Sequence, residues 1–581
     1  MQYYRQWNNA YRDLFGSIVL TNIGGPRNKL VFDNQEDIWQ RFHHGPYGAY
    51  FSQRQNIPYY NVRTPYSEGK YWAGYERGSV FKFIHTQNIN PYWNFVAQIQ
   101  RLNSLGLYTH NQNKQTNILL NTHYKNPDTG YELYFYYLFE DMEIEEFGGI
   151  QNDTVFTENQ QDNRVLVDVN LRNASGQADR RLMRNTEVYL DQKMRLFSLF
   201  SASSQDSTPS DNLPAETGAR LFIGHSTAIQ NMLSQYVGDA TDNTFYEQFF
   251  FTQNAFNDSV HYRDFDNTVY LQAEIGNQSK LQLKGGLRYL FQEYSGSDFS
   301  FSGSNLGLVS TLQGKIKDWV QLKAGADIVA TGPLSGSLDL KGDGSVSLGK
   351  ALKANAQYQL QRRQPELFSQ FYRSNNFIWQ NDFDQLTRNH IQGGISWGKT
   401  DENHLTVGNE LISNYVFYNR EGQPQQAGGN VSYTTFALQQ NFDFNAWLHS
   451  DNKVIYQVAG SGADIYPLPD VVTRNSLYAD FNLFQRALLG IIGFEVKYFN
   501  AYQSPSYNPA TGRFFIDPEA PLTGNFPVVD VFAQFKIKKG KIFFKYEHAN
   551  QGLTTRNTFA APHYPIPDAI LRVGLMWRFF E

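Results

Sequence analysis

Apolar side chains recur at every second position in segment after segment of this chain. At the C-terminal end, Leu571, Val573, Leu575, Trp577 and Phe579 alternate with Arg572, Gly574, Met576, Arg578 and Phe580. Val320, Leu322, Ala324, Ala326 and Ile328 alternate in the same way with Gln321, Lys323, Gly325 and Asp327. So do Val529, Val531, Ala533, Phe535 and Ile537 with Asp530, Phe532, Gln534 and Lys536. Leu281, Leu283, Leu287, Tyr289 and Phe291 alternate with Gln282, Lys284 and Arg288. A period of two puts one face of a β-strand in an apolar medium and the other against something wetter. About ten residues of it, ending in aromatics, suit a tilted strand that crosses an outer-membrane bilayer.

The pattern predicts about twenty-four strands from residue 67 onward, within a range of roughly 22–26. Segments at 163–172 and 243–252 are among them. Soluble β-sandwiches alternate too, so the connections discriminate. Counted back from the C-terminus, long links at 549–567, 502–525, REGQPQQAGG, 363–388 and 292–304 take turns with short ones, with one short exception among the long set at TGP (331–333). The short ones include Lys538 to Gly540, Gln485–Arg486, GKTDEN, GKAL and KIKD. Loop length sorted by parity is a property of outer-membrane barrels, and a sandwich has no reason for it. The scheme weakens at 173–184 and 229–242, which are long for turns. The expected fold is therefore all-β: a transmembrane antiparallel β-barrel with long extracellular loops, short periplasmic turns and no open edge. Residues 1–66 are less regular and are expected to form a plug, a periplasmic segment or an extra hairpin, leaving 67–581 as the barrel. So many strands enclose a lumen wider than that of a 16–18-stranded porin, and something must line or fill it.

Composition refines this reading. Aromatic residues make up 16% of the 581 residues (37 Tyr, 45 Phe, 9 Trp), as interfacial girdles and packed lumens require. Mean hydropathy is −0.52, because lumen and lipid positions average out. No stretch approaches the roughly 18 consecutive apolar residues of a membrane helix. Lys and Arg number 50 against 55 Asp and Glu, a net charge of −5, which argues against nucleic acid as a partner. With no cysteine, disulfides, thiol catalysis and cysteine-ligated zinc are excluded. The opening MQYYRQWNNA lacks a basic stretch followed by an apolar core, so the signal peptide of an exported chain is not present in this numbering.

Six stretches occur together in order: LTNIGGP (20–26), YYNVRTPYSEGKY (59–71), FIHTQNIN (83–90), LGLYTHNQ (105–112), FEDMEIEEFGGI (139–150) and NRVLVDVNLRNA (163–174). With the final HYPIPD…WRFFE they resemble the putative outer-membrane porin family of Bacteroidetes bacteria, most strongly over residues 14–200. This chain departs from the family's usual residues at Phe147 and at Glu76, Arg77 and Gly78. The resemblance implies an outer-membrane β-barrel named for passive diffusion, with no catalytic residues.

Ionisable side chains in the membrane zone must face the lumen. On that ground Lys284, Arg288, Lys323, Asp327, Asp530, Lys536, Lys545, Arg572 and Arg578 are expected to line it, either as a selectivity ring or as lateral ion-pair ladders. Leu571, Val573, Leu575, Trp577 and Phe579 are expected to face lipid. The acidic run Glu140, Asp141, Glu143, Glu145 and Glu146 makes Glu143, Glu145 and Glu146 a weak Ca²⁺ or Mg²⁺ candidate beside lipopolysaccharide phosphates; a solvated charged loop explains it as well. His43, His44 and His85 lack metal-ligand spacing. Asp264 and Asp266, like Asp382 and Asp384, lack the glycine and terminal glutamate of an EF-hand. No nucleophile–base set stands out, so neither an enzyme nor a cofactor is expected. The expected function is passive diffusion of small polar solutes in the Gram-negative outer membrane, with lipid and lipopolysaccharide around the barrel. The alternative is a plugged structural or accessory subunit of a larger outer-membrane assembly or secretion complex, binding protein partners through aromatic-rich loops such as 363–388.

Overall fold

A computed structural model describes residues 5, 15–33, 36–74, 78–157, 166–171, 176–200, 218–241, 244–276, 281–316, 319–349, 351–398, 402–553 and 558–580. Twenty-two antiparallel strands close into one barrel. The first eight are β1 (Tyr66–Gly74), β2 (Gly78–Asn90), β3 (Trp93–Ser104), β4 (Asn113–Asn126), β5 (Tyr131–Glu146), β6 (Asp179–Phe200), β7 (Gly218–Asp239) and β8 (Ala255–Ile275). The next seven are β9 (Leu281–Gly296), β10 (Phe299–Ile316), β11 (Val320–Thr331), β12 (Leu338–Leu348), β13 (Leu352–Arg363), β14 (Leu386–Trp397) and β15 (Asn403–Ser413). The last are β16 (Val431–Asp443), β17 (Leu448–Ser461), β18 (Val471–Leu483), β19 (Leu488–Phe499), β20 (Val528–Ile537), β21 (Gly540–Glu547) and β22 (Ile570–Phe580). β22 pairs with β21 on one side and β1 on the other, Tyr66 opposite Phe580, so no ladder edge is left for lipid to meet.

The count is twenty-two, the lower bound of the expected range, and the two surplus strands have a common cause. Residues 166–171 and 244–252 alternate, but they lie in links between β5 and β6 and between β7 and β8. Several of their apolar side chains are buried against the loop-end cover: Val169 bridges to Ile150, and Tyr246 packs on Tyr236 of β7, whereas Leu166 and Phe250 stay exposed. Residues 163–165 fall outside the described residues. The segments that looked too long for turns are mostly strand, since β6 starts at Asp179 and β7 runs on to Asp239. The expected loop at 292–304 is likewise a hairpin, with β9 and β10 joined at Ser297 and Asp298, the latter at φ 63. At 22 residues each, β6 and β7 rise about 50 Å at ~3.4 Å per residue and ~45° tilt, twice the ~25 Å apolar band. The wall therefore extends well beyond the membrane on this side.

Apart from the long link 201–217 between β6 and β7, short links gather at the end that carries Phe580 (the turn end), and the long links 147–178, 364–385, 414–430, 500–527 and 548–569 gather at the other (the loop end). Exposed aromatics ring the turn end at Trp93, Trp319, Phe442, Phe444, Trp447, Phe484, Trp577 and Phe579. This is where amphipathic rings sit at a membrane–water boundary.

The N-terminal segment runs inside this wall. Residues 17–19 pair with 27–29 in a small hairpin near the loop end, where Asn22 donates to Ser104 and Asn111 carbonyls. The chain then passes β17, β13 and β9, turns at Gly45–Tyr50, and descends past β4 to reach β1. Irregular backbone at membrane depth needs hydrogen-bond partners from protein or water. Here inward-facing amides supply them: Gln115 donates to the Tyr50 carbonyl, Asn121 to Pro58, Gln292 to Trp39, Gln361 to Glu36 and Gln457 to Leu30, at 2.7–3.0 Å.

Candidate functional site

Directly paired residues on neighbouring strands point to the same face, so register decides which charges meet inside. Glu495 lies opposite Asp530, Phe532 opposite Lys545, and Lys545 opposite Arg572. The resulting ladder runs around β19–β22. The Lys497 and Lys545 ammonium groups sit 2.8 and 3.0 Å from Asp530, whose Oδ1 also accepts the His548 backbone N–H at 3.0 Å. Lys545 continues to Glu547 at 3.3 Å, and Glu547 takes Arg572 at 2.6 Å. Arg578 reaches Glu68 of β1 at 2.8 Å. On the other face of β22, Leu571, Val573, Leu575, Trp577 and Phe579 are 38 to 53% exposed, whereas Arg572 is 6% exposed.

The remaining inward positions do different things. Arg288 makes two bonds to Asp266, at 2.7 and 3.0 Å, and lies 4.6 Å over the Trp39 ring. Lys284 sits 3.6 Å over the Tyr270 ring. Lys323 is exposed and opposite Asp343, Asp327 faces Asp339 across β11–β12, and Lys536 is half-buried near the turn end. These residues form separate pairs rather than a single ring.

Alternation separates the candidate metal ligands. Glu146 is buried inside, while Glu143 is on the outer face and pairs with Arg180 (3.4 Å) and Lys114 (3.8 Å). Glu145, also on the outer face, accepts the Gln112 backbone N–H. Among the described residues no group of three or more His, Cys, Asp or Glu side chains could hold a metal ion. His85 bonds to Ser67 across β1–β2, and His43 and His44 lie in the lumen segment.

Two features of this interior have no advance signal in composition or spacing. The first is Arg54, whose guanidinium lies 2.7 Å from both Glu187 on β6 and Asp266 on β8 and packs over Tyr189. Ser52 beside it donates its hydroxyl and backbone N–H to Glu140. The second is the closure of the loop end. Leu20, Tyr47, Tyr50 and Phe51 of the N-terminal segment share an apolar cluster with Tyr108, Met142, Ile144, Phe147, Ile150, Val167, Val169, Tyr507 and Tyr564. At its polar border Glu146 accepts hydroxyl bonds from Tyr47 (3.1 Å) and Tyr507 (2.8 Å) and pairs with Arg181 at 3.3 Å. A clasp closes over it: His563 meets Asp153 at 3.2 Å, and the Asp153 carboxylate raises the imidazole's affinity for its proton although burial opposes this.

A closed antiparallel barrel with an apolar outer wall, an aromatic girdle and a charge-paired inner wall is a transmembrane β-barrel of the outer-membrane class. The chain belongs to the porin family described as "Putative porin", whose family model matches residues 1–581. No curated protein matches it in sequence. Solved structures share the fold at low identity. The siderophore receptor PirA from Acinetobacter baumannii is 9% identical, with a TM-score of 0.60 over 89% of this chain and 81% of that one. A mutant of the ferric enterobactin receptor PfeA from Pseudomonas aeruginosa, in complex with enterobactin, is 9% identical (TM-score 0.59, 89% and 81% covered). FpvA of P. aeruginosa bound to a heterologous pyoverdine is 11% identical (TM-score 0.60, 89% and 72%).

Proposed function

We propose that this outer-membrane barrel is a gated porin, in which passage of small polar solutes depends on movement of its own N-terminal segment. The observation that carries this reading is how residues 52–62 are held. Arg54 bridges Glu187 and Asp266, Ser52 bonds to Glu140, and Asn121 and Asn88 bond the backbone at Pro58 and Val62. These are polar contacts rather than apolar burial, so water that enters as the segment moves can take over each partner. Such a segment can be released and remade, and a wall of mixed charge and amides then suits hydrated solutes.

The accessory-subunit reading draws on the apolar cluster at the loop end, which excludes water and holds by burial. One experiment separates the two. In planar bilayers the purified chain is expected to give rare conductance steps, and Arg54→Ala to give frequent steps of the same size. Silence from both proteins, with a partner chain that stays bound through purification, would overturn gating and leave the accessory role.

A further inference from the structure

A small cavity lies where four parts of the chain meet at the loop end: residues 42–47 of the lumen segment, the tops of β6 and β7, the link 364–385 and the link 500–527. It leaves ≈ 10 Å³ for the centre of a water-sized sphere, room for a single water, so a slightly larger halide seats only as the side chains around it shift outward. Its polar lining consists of His43, His44, Arg181, Ser234, Thr511 and Arg513, with Tyr47 beside them, and no acidic side chain lines it among the described residues. The carboxylates that pair with the two arginines, Glu146 at 3.3 Å and Glu366 at 3.2 Å, lie outside the lining.

Two further observations point to an occupant. Neither imidazole nitrogen of His44 nor the hydroxyl of Thr511 has a hydrogen-bond partner, although the residues are only 5 and 3% exposed. Buried polar groups are seldom left unpaired without an unseen ligand or water. The backbone also makes way for each guanidinium. Gly45 and Gly512 adopt φ of +53 and +63, and a Cβ there would lie 1.8 Å from the Arg513 Nη1 and 2.7 Å from the Arg181 Cζ respectively. Only glycine fits at either place.

We propose that this cavity binds one small monovalent anion of chloride size. Arg181 and Arg513 supply the charge, and the His44 imidazole and the Thr511 and Ser234 hydroxyls donate. Larger oxyanions do not fit. The same charges act on His44: burial first, then Arg513, His43 and Arg181, hold its imidazole down at about 3. The bound ion fastens the lumen segment to two loops, and the site stands whether or not the barrel conducts.

The test is thermal unfolding of the detergent-purified full chain in sodium gluconate, titrated with sodium chloride or bromide at constant ionic strength. A saturable rise in Tm of about 2–4 °C with both halides is expected. Thr511→Val should lose that increment while keeping its heat-modifiable mobility in gluconate, and Lys323→Ala should keep it. In bromide-soaked crystals an anomalous peak is expected between His44 and Thr511. Absence of a halide-specific shift, an equal shift in Thr511→Val, or density of water without anomalous signal would each overturn the proposal.

Discussion

Asp530→Asn tests whether the inner wall is held by its charge ladder. The substitution keeps size and the acceptor for the His548 backbone N–H. It removes the one negative charge between the Lys497 and Lys545 ammonium groups. Breaking a buried pair by neutralising one partner costs about 3–5 kcal/mol, because the surviving charge stays desolvated. Each lysine here keeps a second carboxylate, Glu495 at 3.7 Å and Glu547 at 3.3 Å, which places the cost at the low end, about 3 kcal/mol. That is about a hundredfold in the folding equilibrium. It can be read from urea titrations in lipid vesicles, with heat-modifiable mobility marking the folded barrel. Lys545→Met alone should also destabilise, but on the Asp530→Asn background it should recover part of the loss, since the stranded ammonium is gone. A cost below about 1 kcal/mol for Asp530→Asn, or additive losses in the double variant, would refute the ladder as a source of stability.

Other expectations follow from single contacts. Gly574→Ala on β22 would put a Cβ 1.9 Å from the buried Phe543 ring; overpacking should cost about 1–3 kcal/mol in the same titration, and Phe543→Leu should relieve it. Leu575→Lys places an ammonium on the lipid face at the middle of β22 and should cost about 2–4 kcal/mol, whereas Lys323→Ala in the lumen should change stability by less than about 0.5 kcal/mol. The His563–Asp153 clasp has a definite sign. Because the folded-state imidazole is raised, its contribution is complete below the ordinary value near ~6.5 and is lost as pH rises through the raised value. Amides of 147–153 should therefore exchange faster at pH 8 than at pH 6 once intrinsic rates are removed, and Asp153→Asn should abolish the difference.

How much of this could be read from the residues depends on what each feature answers to. Lipid imposes one rule on every stave, so β22 shows its outer face as Leu571 to Phe579 without any knowledge of its neighbours. The same rule overcounts strands, because Val167, Val169 and Tyr246 alternate for a different apolar medium, the inside of the loop-end cover. Inner-wall charges are legible as a class and illegible as pairs. Lys497 meets Asp530 only because β19 and β20 align Glu495 with Asp530, and register is not written in either strand. Arg54 is less visible still, since its partners lie 133 and 212 residues away.

Four of the six stretches that carry the family resemblance, with the final HYPIPD, converge on the loop-end closure. Leu20 comes from LTNIGGP, Tyr108 from LGLYTHNQ, and Met142, Ile144, Phe147 and Ile150 from FEDMEIEEFGGI; all lie in one apolar cluster with Val167, Val169 and Tyr564. Barrel staves need only alternate, so many sequences satisfy them. A buried junction of five separate segments needs particular shapes at particular places, and this is where a recognisable sequence has physical reason to persist. Most of the signature therefore marks the closure, while YYNVRTPYSEGKY (59–71) and FIHTQNIN (83–90) run through the end of the lumen segment, β1 and β2. If the barrel opens, the rest of the segment must move around that fixed cluster, which puts the moving part between Phe51 and β1, where Arg54 is the only residue ion-paired to two strands among those described.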